Sequence, residues 1–207
     1  SRGLGDVYKR QGLNRTVTKE EFAQRIEAQT LPEILNRVEV KPGELYFIPS
    51  GTLHAIGAGI LLAEIQQNSN TTYRVYDYGR RGADGKLRPL HIEKALDVTN
   101  LSPVLPTTQY PAVQVPGGSV RKLESCRYFA SDVVTVSEEV HFTAEPDSFH
   151  HLLVLEGEGT LETLSGSAPL KKGDSVLRPA GLGQYSVRGS GCRYVLTYAA
   201  QPLSEQQ

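Results

Sequence analysis

The sequence predicts an all-β protein with a few helices, folded as two units joined by a segment near residues 101–116. Three observations carry that prediction. Short β-type runs alternate with Pro, Gly and Asn over most of the chain, the punctuation that an antiparallel barrel or sandwich requires. Pro103, Pro106, Pro111 and Pro116 mark one extended, linker-like stretch. A strand-and-turn motif also occurs twice, once on each side of that stretch.

The elements follow in order. The chain has no Met, even at position 1, and Ser1–Gln11 shows no clear periodicity. Residues 1–11 are therefore expected to be a non-native artefact. Residues 12–37 read as a helical segment. Thr18 and Glu21 form a capping box, in which a hydroxyl and a carboxylate satisfy amides of the first turn. Phe22, Ile26, Leu31 and Leu35 continue an apolar stripe, predicting a helix over about 18–28 and a short one near 32–36. From residue 38 to 100 the texture is β-like, with strands expected at Val38–Val40, Leu45–Ile48, Ile60–Gln66 and Thr72–Tyr76, then a helix over His91–Val98. Residues 117–207 return to strands at Ser119–Leu123, Tyr128–Val136, His150–Leu155, Thr160–Leu164, Ser175–Arg178, Tyr185–Val187 and Arg193–Tyr198.

The bulk numbers exclude several classes. With 22 Lys and Arg against 23 Asp and Glu, the net charge of −1 offers no broad basic field for nucleic acid or an anionic membrane. The apolar runs, such as Gly59–Ala63 and Leu152–Leu155, fall far short of the roughly 20 residues of a membrane span. No signal peptide is visible, and Cys126 and Cys192 lack metal-motif spacing, so both are expected as buried free thiols of a cytoplasmic protein.

The repeated motif is G-x5-P-x-G-x-x-H. It runs from Gly43 through Pro49 and Gly51 to His54, and returns from Gly173 through Pro179 and Gly181 to Gln184. A Gly turn starts a strand, Pro ends its ladder, and the second Gly reverses the chain. The residue three positions later enters the next strand, where alternation can turn it inward. His54 in that place is a candidate zinc or iron ligand, against the plainer reading of a packed histidine with one hydrogen bond. One histidine cannot hold a catalytic zinc, which takes about three protein ligands.

A second constellation spans Leu62 to Arg80, LAEIQQNSNTTYRVYDYGR. If Asn68–Asn70 is a tight turn between two strands, Glu64 and Arg74 line the cavity that His54 enters, since alternate residues share a face. The competing reading is a surface ion pair of little energetic weight. Arg80, Arg81, Lys86 and Arg88 are candidate phosphate contacts, against the plainer reading of Arg81 to Arg88 as a solvated loop. His150 and His151 are adjacent on a strand and point to opposite faces, so they read as structural. His91 reads as a helix-start residue and His141 as a surface strand residue.

The repeated motif resembles the second motif of cupins and implies a bicupin, two jelly-roll-like β-barrels. PGELYFIPSGTLHAIG, EIQQNSNTTYRVYDYGR and PLHIEKALDV are similar to type I mannose-6-phosphate isomerases of the bacterial form. The resemblance covers nearly all of the chain after residue 11. It implies a zinc enzyme interconverting mannose 6-phosphate and fructose 6-phosphate through a cis-enediol, with a sugar phosphate as its small-molecule partner. It assigns His54 as a zinc ligand, Arg74 to catalysis and Glu64 to the active site. The family's other zinc ligands, a Gln-x-His pair and a Glu, precede the region present. The expectation is therefore an incomplete first barrel, a second barrel without a metal site, and a fragment inactive alone. Two other classes compete: a non-catalytic sugar or sugar-phosphate-binding cupin, and a metal-dependent cupin oxygenase or decarboxylase. The last is disfavoured because such sites draw several His from one barrel.

Overall fold

The computed structural model describes residues 8–69 and 71–200, mostly β with two short α-helices and divided into two compact units at Thr107/Thr108.

In the first unit, β1 (Tyr8–Leu13) lies between β2 (Leu35–Glu39) and β3 (His54–Ile56) in an antiparallel sheet of order β2-β1-β3. Residues 8–11, set apart by the sequence reading, thus form the start of the central strand, and Lys9 and Gln11 are buried. The predicted helix forms as α1 (Lys19–Glu27). Its Thr18 cap accepts from the Glu21 amide at 3.1 Å, and Phe22 and Ile26 go into the core. The expected short helix near 32–36 is a single 3₁₀ turn at Leu31–Ile34, entered through Pro32. The last element, α2 (Ile92–Val98), buries Ala95 in a core with Leu13, Phe22, Leu31 and Val75.

Three expected strands of this unit do not form, and the hydrogen bonds show why for two of them. A strand needs a neighbour to take up its N–H and C=O groups. The Phe47 amide instead donates to Thr107 Oγ1 at 2.9 Å, and its carbonyl accepts from Gln11 Nε2 at 2.9 Å. Arg74 has its amide and carbonyl both engaged by His91. Leu45–Ile48, Ile60–Gln66 and Thr72–Tyr76 are all irregular. The Asn68–Asn70 turn lies partly outside the described residues; Ser69 Oγ accepts from the Thr71 amide at 3.2 Å.

The second unit is a two-sheet sandwich. A six-stranded sheet contains β4 (Val113–Val115), β5 (Gly118–Ser125), β6 (Phe129–Val136), β8 (His150–Glu156), β11 (Ser175–Arg178) and β13 (Cys192–Ala199), in the order β11-β8-β13-β6-β5-β4. A four-stranded sheet is built from β7 (Glu139–Ala144), β9 (Glu158–Thr163), β10 (Gly166–Lys171) and β12 (Gly183–Arg188), in the order β10-β9-β12-β7. Every predicted strand of this unit is present, while β4, β7 and β10 were not predicted. All three are edge strands, and β10 carries Pro169, which only an edge tolerates. Alternation fills the core: Tyr194 and Leu196 of β13 meet Val154 and Leu152 of β8 across the ladder, Cys192 lies opposite Val136 of β6, and Val187 of β12 joins them from the other sheet. Both cysteines are free; Cys192 is buried in this core and Cys126 is half-buried.

Among the described residues, no helix is long and apolar enough to cross a membrane.

Candidate active site

The first unit gathers most of the candidate residues. His54 opens β3, as the motif predicts, directly opposite Gln11 of β1. Its Nδ1 lies 3.0 Å from the Thr52 carbonyl oxygen. A carbonyl only accepts, so Nδ1 carries the proton and the lone pair resides on Nε2. That is the arrangement by which backbone carbonyls orient metal-binding histidines. The residue is exposed, so a ligand can reach it.

Beside it lies a network that the sequence reading missed. Lys9 shares a sheet face with Gln11, donates to Gln11 Oε1, and sets its ammonium 3.3 Å from the centre of the Tyr46 ring. Tyr46 donates to Glu44 at 2.6 Å. Burial lowers Lys9 to about 8, against the opposing pull of the Glu44 charge. Tyr46 is pushed up to about 12, first by burial and then by its bond to Glu44. The i, i+2 spacing of Lys9 with Gln11, and of Glu44 with Tyr46, was the available signal.

Arg74 is half-buried in irregular backbone. Its Nη1 donates to the Pro89 carbonyl at 3.3 Å, and Nε lies 3.7 Å from Asp77 Oδ1. Asp77 in turn accepts from Arg88, at 2.6 Å from Nε and through a second bond from Nη2. The Arg88 hydrogen bonds are the main reason the Asp77 carboxyl is held below its ordinary value. Of the basic residues in the 80–88 segment, Arg88 is thus paired, Arg81 donates to the Gly85 carbonyl at 2.8 Å, and Arg80, Arg81 and Lys86 are exposed. Glu64 is exposed in the irregular 57–69 stretch. Among the described residues no hydrogen bond or ion pair links it to Arg74 or His54.

The zinc expectation can be set against the donors present. His54 supplies one suitable nitrogen, but no three or more His, Cys, Asp or Glu come together among the described residues. These residues do not fit a zinc site by themselves, because a catalytic site draws about three ligands from protein.

In the second unit, His150 and His151 do point to opposite faces. His150 Nδ1 is 2.8 Å from the Tyr185 hydroxyl in the interior, and His151 Nε2 is 2.8 Å from Ser175 Oγ. Burial, then the Arg178 charge, lowers the His150 pKa, with Glu145 pulling the other way. Arg178 stacks over Tyr185 with its guanidinium carbon 4.6 Å from the ring centre. His141 is exposed on β7, as expected.

The last residue of the motif is exposed in both copies. Gln184, matched to His54, is exposed and lines an open outer groove with His141, Thr143 and Glu162, while its neighbour Tyr185 faces the core. The second copy has glycine at both 181 and 183, each with positive φ, so β12 starts one position earlier relative to the motif.

The cupin-domain family of mannose-6-phosphate isomerase matches residues 119–199. Mannose-6-phosphate isomerase ManA of Bacillus subtilis is 41% identical over 178 residues, covering 86% of this chain and 56% of that protein. The probable mannose-6-phosphate isomerase GmuF of the same organism is 37% identical over 185 residues, covering 87% and 57%. The crystal structure of mannose 6-phosphate isomerase from Bacillus subtilis superposes with a TM-score of 0.84 at 32% identity, over 93% of this chain and 60% of that one. The chain thus spans little more than half the length of these relatives.

Proposed function

This chain belongs to the type I mannose-6-phosphate isomerase family of cupins, and we propose that it is the C-terminal part of an enzyme interconverting mannose 6-phosphate and fructose 6-phosphate. The observation that carries the proposal is the similarity to named isomerases along 86% of the chain, including the segments that hold His54, Glu64 and Arg74.

The chemistry follows from the substrate. Moving the carbonyl from C1 to C2 takes a proton from C2, passes through a cis-enediol, and delivers a proton to C1. Negative charge develops on the enediol oxygens during that transfer. Arg74 is assigned to stabilise it, because a guanidinium held by Pro89 and Asp77 is a cationic donor that is already oriented. Glu64 is assigned as the carboxylate that shuttles the proton or supports the group that does. Zinc is the expected cofactor, supplying Lewis-acid assistance to the sugar oxygens when bound. His54 is its one ligand from this chain, and the remaining ligands belong to sequence outside it. On this reading the exposed apolar side chains of the first unit, Leu61 at 94% and Leu62 at 44% among them, face strands that complete the first barrel. A sugar phosphate is the small-molecule partner and the cytoplasm the expected location.

The test is a coupled isomerase assay with mannose 6-phosphate and added zinc. It is run on this chain and on the chain extended upstream to its natural start. The extended protein is expected to turn over and the shorter chain to be inactive. A folded, zinc-loaded, extended protein without turnover removes the isomerase reading in favour of a sugar-phosphate-binding cupin.

A further inference from the structure

His91 stands at the N-cap of α2, where a side chain normally accepts from an amide of its own first turn. It makes no such bond. Its ring is turned to Arg74, 17 residues earlier in the chain, whose amide donates to His91 Nδ1 at 3.1 Å. The return bond is made by the backbone: the His91 amide donates to the Arg74 carbonyl at 2.8 Å. Both main-chain polar groups of Arg74 are therefore held by one residue. The same short segment reaches the side chain, since Pro89 accepts from Arg74 Nη1 and Arg88 fixes the Asp77 carboxylate beside Arg74 Nε. On the other side Val75 is buried in the core that holds Ala95 of α2.

We propose that His91 is the positioning residue for Arg74, a ring clamp that fixes the guanidinium relative to α2 in place of a strand ladder. This rests on the catalytic reading of Arg74. The clamp has a definite protonation state. A backbone amide only donates, so Nδ1 holds the lone pair and the ring is the neutral form with its proton on Nε2. It also has a definite reach. Asn places its Oδ1 where the histidine has Nδ1, whereas Gln carries its acceptor one bond farther out and Ala has none.

Two measurements separate the clamp from the catalytic reading beneath it. Long-range proton–nitrogen NMR of the histidine-labelled 207-residue chain is expected to show His91 with an unprotonated Nδ1 and a protonated Nε2. Observation of the Nδ1–H form overturns the clamp. In the form of the protein that turns over mannose 6-phosphate, His91→Asn is expected to keep kcat within about threefold. His91→Gln and His91→Ala are expected to lose roughly 10–100-fold in kcat with little change in KM, the scale of a catalytic group displaced by about an ångström. Equal kcat across the three variants, or a loss confined to KM, overturns the positioning role. A wild-type protein that folds with the Nε2–H tautomer but never turns over overturns the catalytic reading instead.

Discussion

The two units handle the same problem, the satisfaction of backbone polar groups, in opposite ways. The second satisfies them in ladders: β13 pairs along its length with β6 on one side and β8 on the other. Its core residues Val134, Leu152, Val187 and Tyr194 are wholly buried. Among its described residues the first has three strands of three to six residues, and much of its backbone is fastened by side chains: Gln11 and Thr107 to Phe47, Asn36 to Gln11 and Leu13, His91 to Arg74. The regular unit contains one buried histidine bonded to a tyrosine. The irregular unit carries the exposed histidine with a free Nε2, the buried lysine and the tethered arginine. Function-bearing residues on loops fastened to a scaffold are the general pattern in enzymes, and here the contrast lies within a single chain.

The contrast can be broken most forcefully at the cores. Phe22→Ala in the first unit should cost about 3–5 kcal/mol and Leu152→Ala in the second about 2–5, since both side chains are fully buried. Urea unfolding followed by residue-resolved amide exchange should show each loss in its own unit. Loss of protection throughout the chain from either change would mean that the two cores are not separate.

Glycine substitutions sharpen the comparison. Gly117 and Gly43 both have positive φ, 77° and 85°. A Cβ at Gly117 would lie 1.9 Å from the Glu139 carbonyl oxygen, whereas at Gly43 nothing lies within 4 Å. Gly43→Ala should therefore cost only the left-handed backbone term, about 1–2 kcal/mol. Gly117→Ala must also push β7 away, and its melting temperature should fall clearly further. Equal shifts would mean that the close approach is relieved at no cost.

Smaller effects appear in the pH dependence. Burial holds Lys9 near 8 when folded, against 10.5 when unfolded. Between those values the unfolded state binds the extra proton, so the first unit should gain stability as pH rises from about 8 to 10. Tyr46, near 12 when folded against an ordinary 10.0, reverses the trend above that range. Lys9→Met should remove the rise and Tyr46→Phe the fall. In the second unit the lowered His150 value acts at the other end of the scale. Its unfolded form takes the proton first as pH falls below 6.5, so stability is lost on acidification, and His150→Gln should flatten that limb.

The same contrast decides what could be read from sequence. In the second unit, alternation along His150–Glu156 and Cys192–Ala199 encodes both the strand and its buried face, so the elements were legible. β10 escaped because Pro169 and small residues carry little strand signal. In the first unit, Thr18, Phe22 and Ile26 announced α1. The runs at 45–48, 60–66 and 72–76 look like strands locally, yet whether they pair depends on partners outside those runs. His54 was singled out because a motif names it. The Lys9–Tyr46 contact and the His91–Arg74 clamp join residues 37 and 17 positions apart, and no local pattern marks such pairs.

The central claim, that catalysis is carried by the irregular unit, is met most directly by one comparison. It is the coupled isomerase assay on the upstream-extended protein bearing His54→Ala, Arg74→Ala, or the paired control His150→Gln/His151→Gln. The account predicts that either first-unit change abolishes turnover of mannose 6-phosphate, while the control retains it wherever the protein remains folded. Full activity in the Arg74→Ala protein, or loss in a folded control, would contradict it.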